Sequence, residues 1–249
     1  MLTTNLGFAL TTIGARQEAR GALETGLALA DAIGSIGAVR HAQMNLLGWA
    51  ATFGNDRQLE GLLAETRTDA DAASSGAWTA PDRANLGALF YRGWELLRSS
   101  GEGATLRARS LLKLAAETYR VTGNRDVMPV ALGMWAEAER RTGNLERALE
   151  LVREATALLD SGAPSLLNES TVYLVLHDVS LDIGDGEAAR AAVARGLEPL
   201  KRRIDGLVGT FYARMFLTEI PHNAGLLAAA SGYGLVPDQL RRVLEGEGT

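Results

Sequence analysis

One spacing of apolar and small positions recurs along the chain. A glycine is followed by a small or apolar residue and then, four positions on, by an aliphatic one. The copies are Gly14/Ala19/Leu23, Gly54/Leu59/Leu63, Gly103/Ala108/Leu112, Gly143/Ala148/Val152 and Gly184/Ala189/Val193. The glycines step by 40, 49, 40 and 41 residues. The long step contains 66–81, a stretch rich in Asp, Ala, Ser and Gly that reads as an insertion. Seven positions after the small residue stands a second small one, Gly26, Ala115, Ala155 or Gly196; Thr66 breaks the rule in the second copy. Leu6, Leu46, Trp135 and Leu176 stand eight positions before their glycines. Trp94 fits if the third turn is counted from Gly101 instead, seven positions on. Positions four apart share a helix face, so each copy predicts a helix, a tight turn and a second helix. Glycine ends the first helix in a left-handed conformation, and Asn144 or Asp185 is placed to cap the second. Neither helix can bury its apolar stripe alone, so neighbouring copies must stack.

The last segment breaks the spacing. Residues 202–220 read as one more helix, and Pro221 opens another that Gly232-Tyr233-Gly234 closes. Pro237-Asp238 starts a final polar helix that runs through Glu245. This segment is expected to cap the array. At the other end, Met1 falls almost at the start of a repeat helix. That leaves the N-terminal end uncapped, as a trimmed piece of a longer protein or as a candidate surface for self-association.

Composition narrows the chemistry. The 249 residues are 47% hydrophobic, contain no Cys and carry a net charge of −5. The apolar fraction supports a core, and the acidic balance argues against nucleic acid as partner. Absence of Cys removes disulfides, thiolate metal sites and Cys nucleophiles. The N-terminus lacks the basic start of a signal peptide, and no stretch approaches the ~20 apolar residues of a membrane span. A cytoplasmic protein without a membrane partner is expected. Phosphate-loop, dinucleotide, zinc-protease and nucleophile-elbow motifs are missing, so no catalytic residue, metal or cofactor is assigned and a non-enzyme is expected. His41, His177 and His222 are scattered and share no helix face, and packing or a surface contact outweighs a functional role for His41 and His177. Asp182 to Glu187 superficially suggests a calcium loop but lacks its ligand order. Asp69 and Asp71 read as solvated loop charges. Trp49, Trp94 and Trp135 read as core, and Trp78 as an anchor for the insertion or a partner contact.

The pairs Leu6-Gly7, Leu46-Leu47 and Trp135-Ala136 in the first helices, with Ala-x3-Leu/Val-x2-small in the second, resemble the tetratricopeptide repeat (TPR) family. That family has a period of about 34. The present period is longer and lacks the Pro that closes each unit. Long repeats of this kind look like the arrays that follow the catalytic or ATPase part of bacterial signalling kinases, nucleotide cyclases and ATPase-type transcriptional activators. Phe216 to Pro221 with Asn223 looks like the closing segment of those arrays.

The resemblance implies an all-α solenoid of helix hairpins. It would form a right-handed TPR-like superhelix of about five repeats over 1–220, with 221–249 as capping segment and tail. It also implies a concave groove lined at fixed positions before each turn glycine. These positions are His41 and Met44; Tyr91, Glu95 and Arg98; Glu137, Arg140 and Arg141; and Asp178 and Asp182. The implied function is a non-catalytic module that binds a protein or peptide, or another domain of a parent signalling protein. The alternative is a sensor in which a small effector shifts an assembly equilibrium; a compact pocket lined by Trp and Arg would favour it.

Overall fold

The computed structural model describes residues 2–54, 60–73, 83–99, 101–162 and 165–246. The described residues are all-helical, with no strand. In chain order the helices are α1 (Leu2–Thr12), α2 (Arg16–Ala32), α3 (Ile36–Phe53), α4 (Glu60–Ala73), α5 (Arg83–Leu97), α6 (Glu102–Thr122) and α7 (Met128–Arg141). There follow α8 (Leu145–Asp160), α9 (Ser170–Asp182), α10 (Gly186–Asp205), α11 (Tyr212–Thr218), α12 (Pro221–Gly232) and α13 (Asp238–Glu245). Helices pack mainly on their chain neighbours, and their contacts divide the chain into two compact units near residue 122.

The repeat spacing predicts the packing slots well. Ala19, Ala108, Ala148 and Ala189 are buried, as are Leu23, Leu63, Leu112, Val152 and Val193 four positions on. Gly14, Gly143 and Gly184 take positive φ of 84°, 80° and 82° in the turn after a first helix; Gly54 has φ of 100° with ψ of 160°, an extended conformation that also favours glycine. Asp185 accepts a hydrogen bond from the Ala188 amide at 2.9 Å and so caps α10. Asn144 does not cap α8. Its amide donates instead to Glu139 Oε2 at 3.2 Å, while Trp135 Nε1 donates to Glu139 Oε1 at 2.9 Å.

Three expectations fail locally, at Gly103, Leu6 and Asp71. Gly103 is not a turn residue: it lies in the first turn of α6, which starts at Glu102, and α5 ends at Leu97. Leu6 is 54% exposed, because α1 instead turns Thr4, Gly7 and Thr11 inward. The presumed insertion begins as helix, since α4 runs on to Ala73. Asp71 is therefore a helical residue, and it pairs with Arg92 and Arg107. Trp78 lies outside the described residues.

In the first unit α3 packs on α2, α4 and α5, and α5 on α6. Trp49, Phe90 and Trp94 are buried there, and Trp49 Nε1 donates to the Arg16 carbonyl at 2.9 Å. In the second unit α7, α8, α9 and α10 pack in sequence, and α12 covers α9 and α10. One cluster joins Val193, Leu197, Leu200 and Ile204 of α10 to Phe216, Ile220, Leu226, Leu240 and Val243. Asn223 is fully buried and accepts from Ser170 Oγ while donating to the Phe216 carbonyl at 2.7 Å. Those bonds satisfy an amide that would otherwise be costly to bury.

Candidate functional site

The groove positions sort into three groups. Two of them are packing residues. Tyr91 is 8% exposed, stacks on Trp94 and faces Gly48 across the α3–α5 contact. Burial pushes its hydroxyl pKa well above the usual value. Met44 fills the notch left by Gly87 on α5. Both were placed in the groove by position alone; the glycine opposite each one draws it into the helix contact instead. His41 is half-buried, with Nε2 3.4 Å from Asn5 Oδ1 and 3.3 Å from Asn45 Nδ2. Burial lowers its pKa, which favours the neutral ring.

The second group forms one ion network in the second unit. Glu137 is 6% exposed and accepts from Arg140 Nε at 2.7 Å, Arg140 Nη2 at 3.0 Å and Arg141 Nε. Arg140 Nη1 continues to Asp182 at 2.8 Å, which links α7 to α9. Burial alone would raise the Glu137 pKa, but Arg140 and Arg141 outweigh it and hold the carboxyl below its usual value. Asp178 moves the other way. Burial raises its pKa, only partly offset by His177, whose Nδ1 lies 2.7 Å from its carboxylate. His177 Nε2 lies 3.5 Å from the Tyr233 hydroxyl, and the two rings meet edge-on. His177 is thus a packed, hydrogen-bonded residue, as its slot in the repeat implies.

The third group sits in the first unit, where Glu95 and Arg98 line a cavity of about 420 Å3 together with Gly54, Arg67, Arg92 and Ser99. Glu95 is buried and paired with Arg67 of α4 and Arg92 of its own helix, the latter at 2.7 Å. Arg92 also donates to both oxygens of Asp71 at 3.2 Å. Arg98 donates to the Thr52 carbonyl at 3.1 Å and has no carboxylate partner among the described residues. Partial burial and the like charge of Arg16 lower its pKa. The Arg16 guanidinium lies over the rings of Trp49 and Phe53, 5.5 and 5.9 Å from their centroids.

Sequence reasoning missed Arg67, Arg92 and Asp71. Arg92 was findable, since it stands three positions before Glu95 on the same face. Arg67 and Asp71 were not, because they fall inside the stretch read as an insertion. Among the described residues no group of three His, Asp or Glu side chains is arranged to hold a metal. None of the described helices is long and apolar enough to cross a membrane. No protein-family model matches the chain, and no curated protein matches it.

Proposed function

We propose that each unit is a run of TPR-like helix-hairpin repeats and that the chain is a non-catalytic binding module of a bacterial signalling system, acting in the cytoplasm. The partner is a protein or peptide, or a neighbouring domain of a parent protein, seated on the first-helix side of the first unit. One observation carries the reading: the cavity at the ends of α3 and α5 is open and rich in arginine, and one of its guanidinium groups, Arg98, has no carboxylate partner among the described residues. Its volume lies in the range of about 300–1,000 Å3 typical of ligand sites. The charged groove positions of the second unit are different, because their charges already satisfy one another across α7 and α9.

The same cavity supports the second reading, an effector sensor, since an arginine-lined pocket is what a small anionic effector needs. Among the described residues that lining holds arginine but no Trp.

The test is site-specific photocrosslinking in cells of the source organism. A photoreactive residue at Ser99, on the cavity, is compared with one at Ser110, exposed on α6. The module reading expects a discrete protein adduct from Ser99 and none from Ser110. An absence of adducts at both sites sinks the stable-partner reading and leaves the sensor.

A further inference from the structure

We propose that the outer face of α1 is a self-association surface, on which two copies of the chain pack α1 against α1, antiparallel, about a two-fold axis near Leu6. The proposal goes beyond the function above and does not depend on it, since no residue of this face lines the arginine cavity.

The first observation is that α1 is inside out. Its polar Thr4 and Thr11 are buried, whereas Leu2 is 88% exposed and Asn5, Leu6 and Ala9 are exposed as well. Positions 2, 5, 6 and 9 form one ridge of a helix. The contact with α2 sets this orientation. A Cβ at Gly7 would stand 2.5 Å from Leu23 Cγ, and one at Gly26 would stand 2.6 Å from Thr4 Oγ1. The helices meet too closely there for leucine, so the short side chains of α1 turn inward. The Thr11 hydroxyl costs little to bury, because it donates to the Gly7 carbonyl at 2.8 Å. The leucines are left facing water. The same two contacts make the helices antiparallel, which brings exposed Leu29 of α2 to the level of Leu2 and extends the apolar surface at that end. A helix that is apolar on every side is normally buried on every side.

The second observation is charge, and it selects the occupant. Among the described helices α1 alone carries no ionisable side chain. A two-fold interface sets the residues near its axis opposite their own copies, so a charge there would meet its like. The α1 ridge meets that condition. Two chains of net charge −5 repel wherever their charged faces meet, and α1 gives them a neutral approach. A partner recognised through its charge finds no counter-charge on this ridge.

The third is the one polar member of the ridge. Asn5 Oδ1 lies 3.4 Å from His41 Nε2, and its Nδ2 has no partner among the described residues. An amide both donates and accepts, so Asn5 can bond reciprocally to its own copy across the axis. Antiparallel crossing also sets each α1 N-terminus beside the C-terminal end of the other, which suits the two helix dipoles.

Sedimentation equilibrium of the full chain tests the proposal. A contact centred on one short helix is small for a specific interface, so the dimer is expected to dissociate with a constant on the order of 10–100 μM. Leu6→Glu should weaken it at least tenfold, roughly, by setting two carboxylates against each other on the axis. Leu2→Glu, farther from the axis, should weaken it less. Val121→Glu adds the same charge at an exposed position of α6 and should leave it unchanged. Circular dichroism checks that each variant keeps its helices. A monomer up to about 1 mM overturns the proposal and leaves the face to a partner of another kind. Equal weakening by Leu6→Glu and Val121→Glu overturns it too, as do species larger than a dimer, which mark an open head-to-tail contact.

The absence of Cys allows a direct check of the axis. In Leu6→Cys the single thiol should form an interchain disulfide with a mild oxidant, at least about tenfold faster than in Val121→Cys, because a disulfide needs Cα atoms within about 7 Å. Equal rates place Leu6 away from the axis and overturn the antiparallel arrangement.

Discussion

Glu95 in the first unit and Glu137 in the second occupy the same repeat position, six residues before Gly101 and Gly143. Both are buried, and both accept from two arginines. The surroundings part company from there. Around Glu137 the arginines come from its own helix, and Arg140 passes on to Asp182 of the next hairpin. The charges close on themselves and tie α7 to α9. Around Glu95 one arginine comes from the second helix of the preceding hairpin, and the residue equivalent to Arg140, Arg98, is left with a carbonyl. One motif thus serves as a fastener in one unit and as an open cationic cavity in the other. What differs is the partner offered by the neighbouring hairpin: Asp182 in one case, a backbone oxygen in the other.

The largest expected effects come from removing either central carboxylate. Glu137→Gln should cost the second unit about 3 kcal/mol, because two guanidinium groups lose their shared acceptor in a largely buried site. Glu95→Gln should cost the first unit a similar amount. Hydrogen exchange read on α5 and α7 peptides separates the two. If each variant loosens both helices equally, the two networks are not independent and the comparison fails.

Acid sharpens the contrast. The Glu137 pKa is lowered in the folded chain, so its contribution is complete above the usual carboxyl value of 4.5 and disappears as pH falls through the folded value. Wild type should therefore lose the stability gap over Glu137→Gln below pH 4. Urea unfolding at pH 7, 4 and 3 measures that gap; a gap that stays constant contradicts the role of Arg140 and Arg141.

A smaller effect is expected at the bridge between hairpins. Asp182 is 41% exposed at its side chain, so solvent screens its pair with Arg140. A double-mutant cycle on Arg140→Gln and Asp182→Asn should return a coupling of about 0.5–1 kcal/mol. Arg140→Gln alone should cost more, about 1–2 kcal/mol, since it also strips a bidentate partner from buried Glu137.

The sequence carried the packing better than the chemistry, and the reason is physical. A slot such as Ala148 or Val152 is set by helix periodicity within one copy, and periodicity is written locally. Leu6 broke that logic because Thr4, Gly7 and Thr11 make a face that approaches α2 more closely, with Gly7 against Leu23. Tyr91 and Met44 were misplaced for a related reason. Their positions lie on the predicted groove side, but Gly48 and Gly87 on the opposing helix make room for them in the contact between α3 and α5. The candidate site was half legible: Glu95 and Arg98 fell out of the spacing, whereas Arg67 and Asp71 needed the knowledge that α4 continues to Ala73. A charge alone does not reveal its partner, and in this chain the partner decides whether an arginine fastens or stays open.

Arg98→Gln is the smallest and most telling perturbation. The variant removes one hydrogen bond to the Thr52 carbonyl, at an exposed position, and relieves repulsion from Arg16. These terms oppose each other, so stability should move by no more than about 0.5 kcal/mol. Arg140→Gln, at the equivalent repeat position, should cost at least twice as much. Urea midpoints of the two variants compare them directly. A loss at Arg98 as large as that at Arg140 means that Arg98 fastens its own unit, and the open cavity then loses its free ligand. Near-neutral stability means that the guanidinium is not needed to hold the fold, unlike that of Arg140.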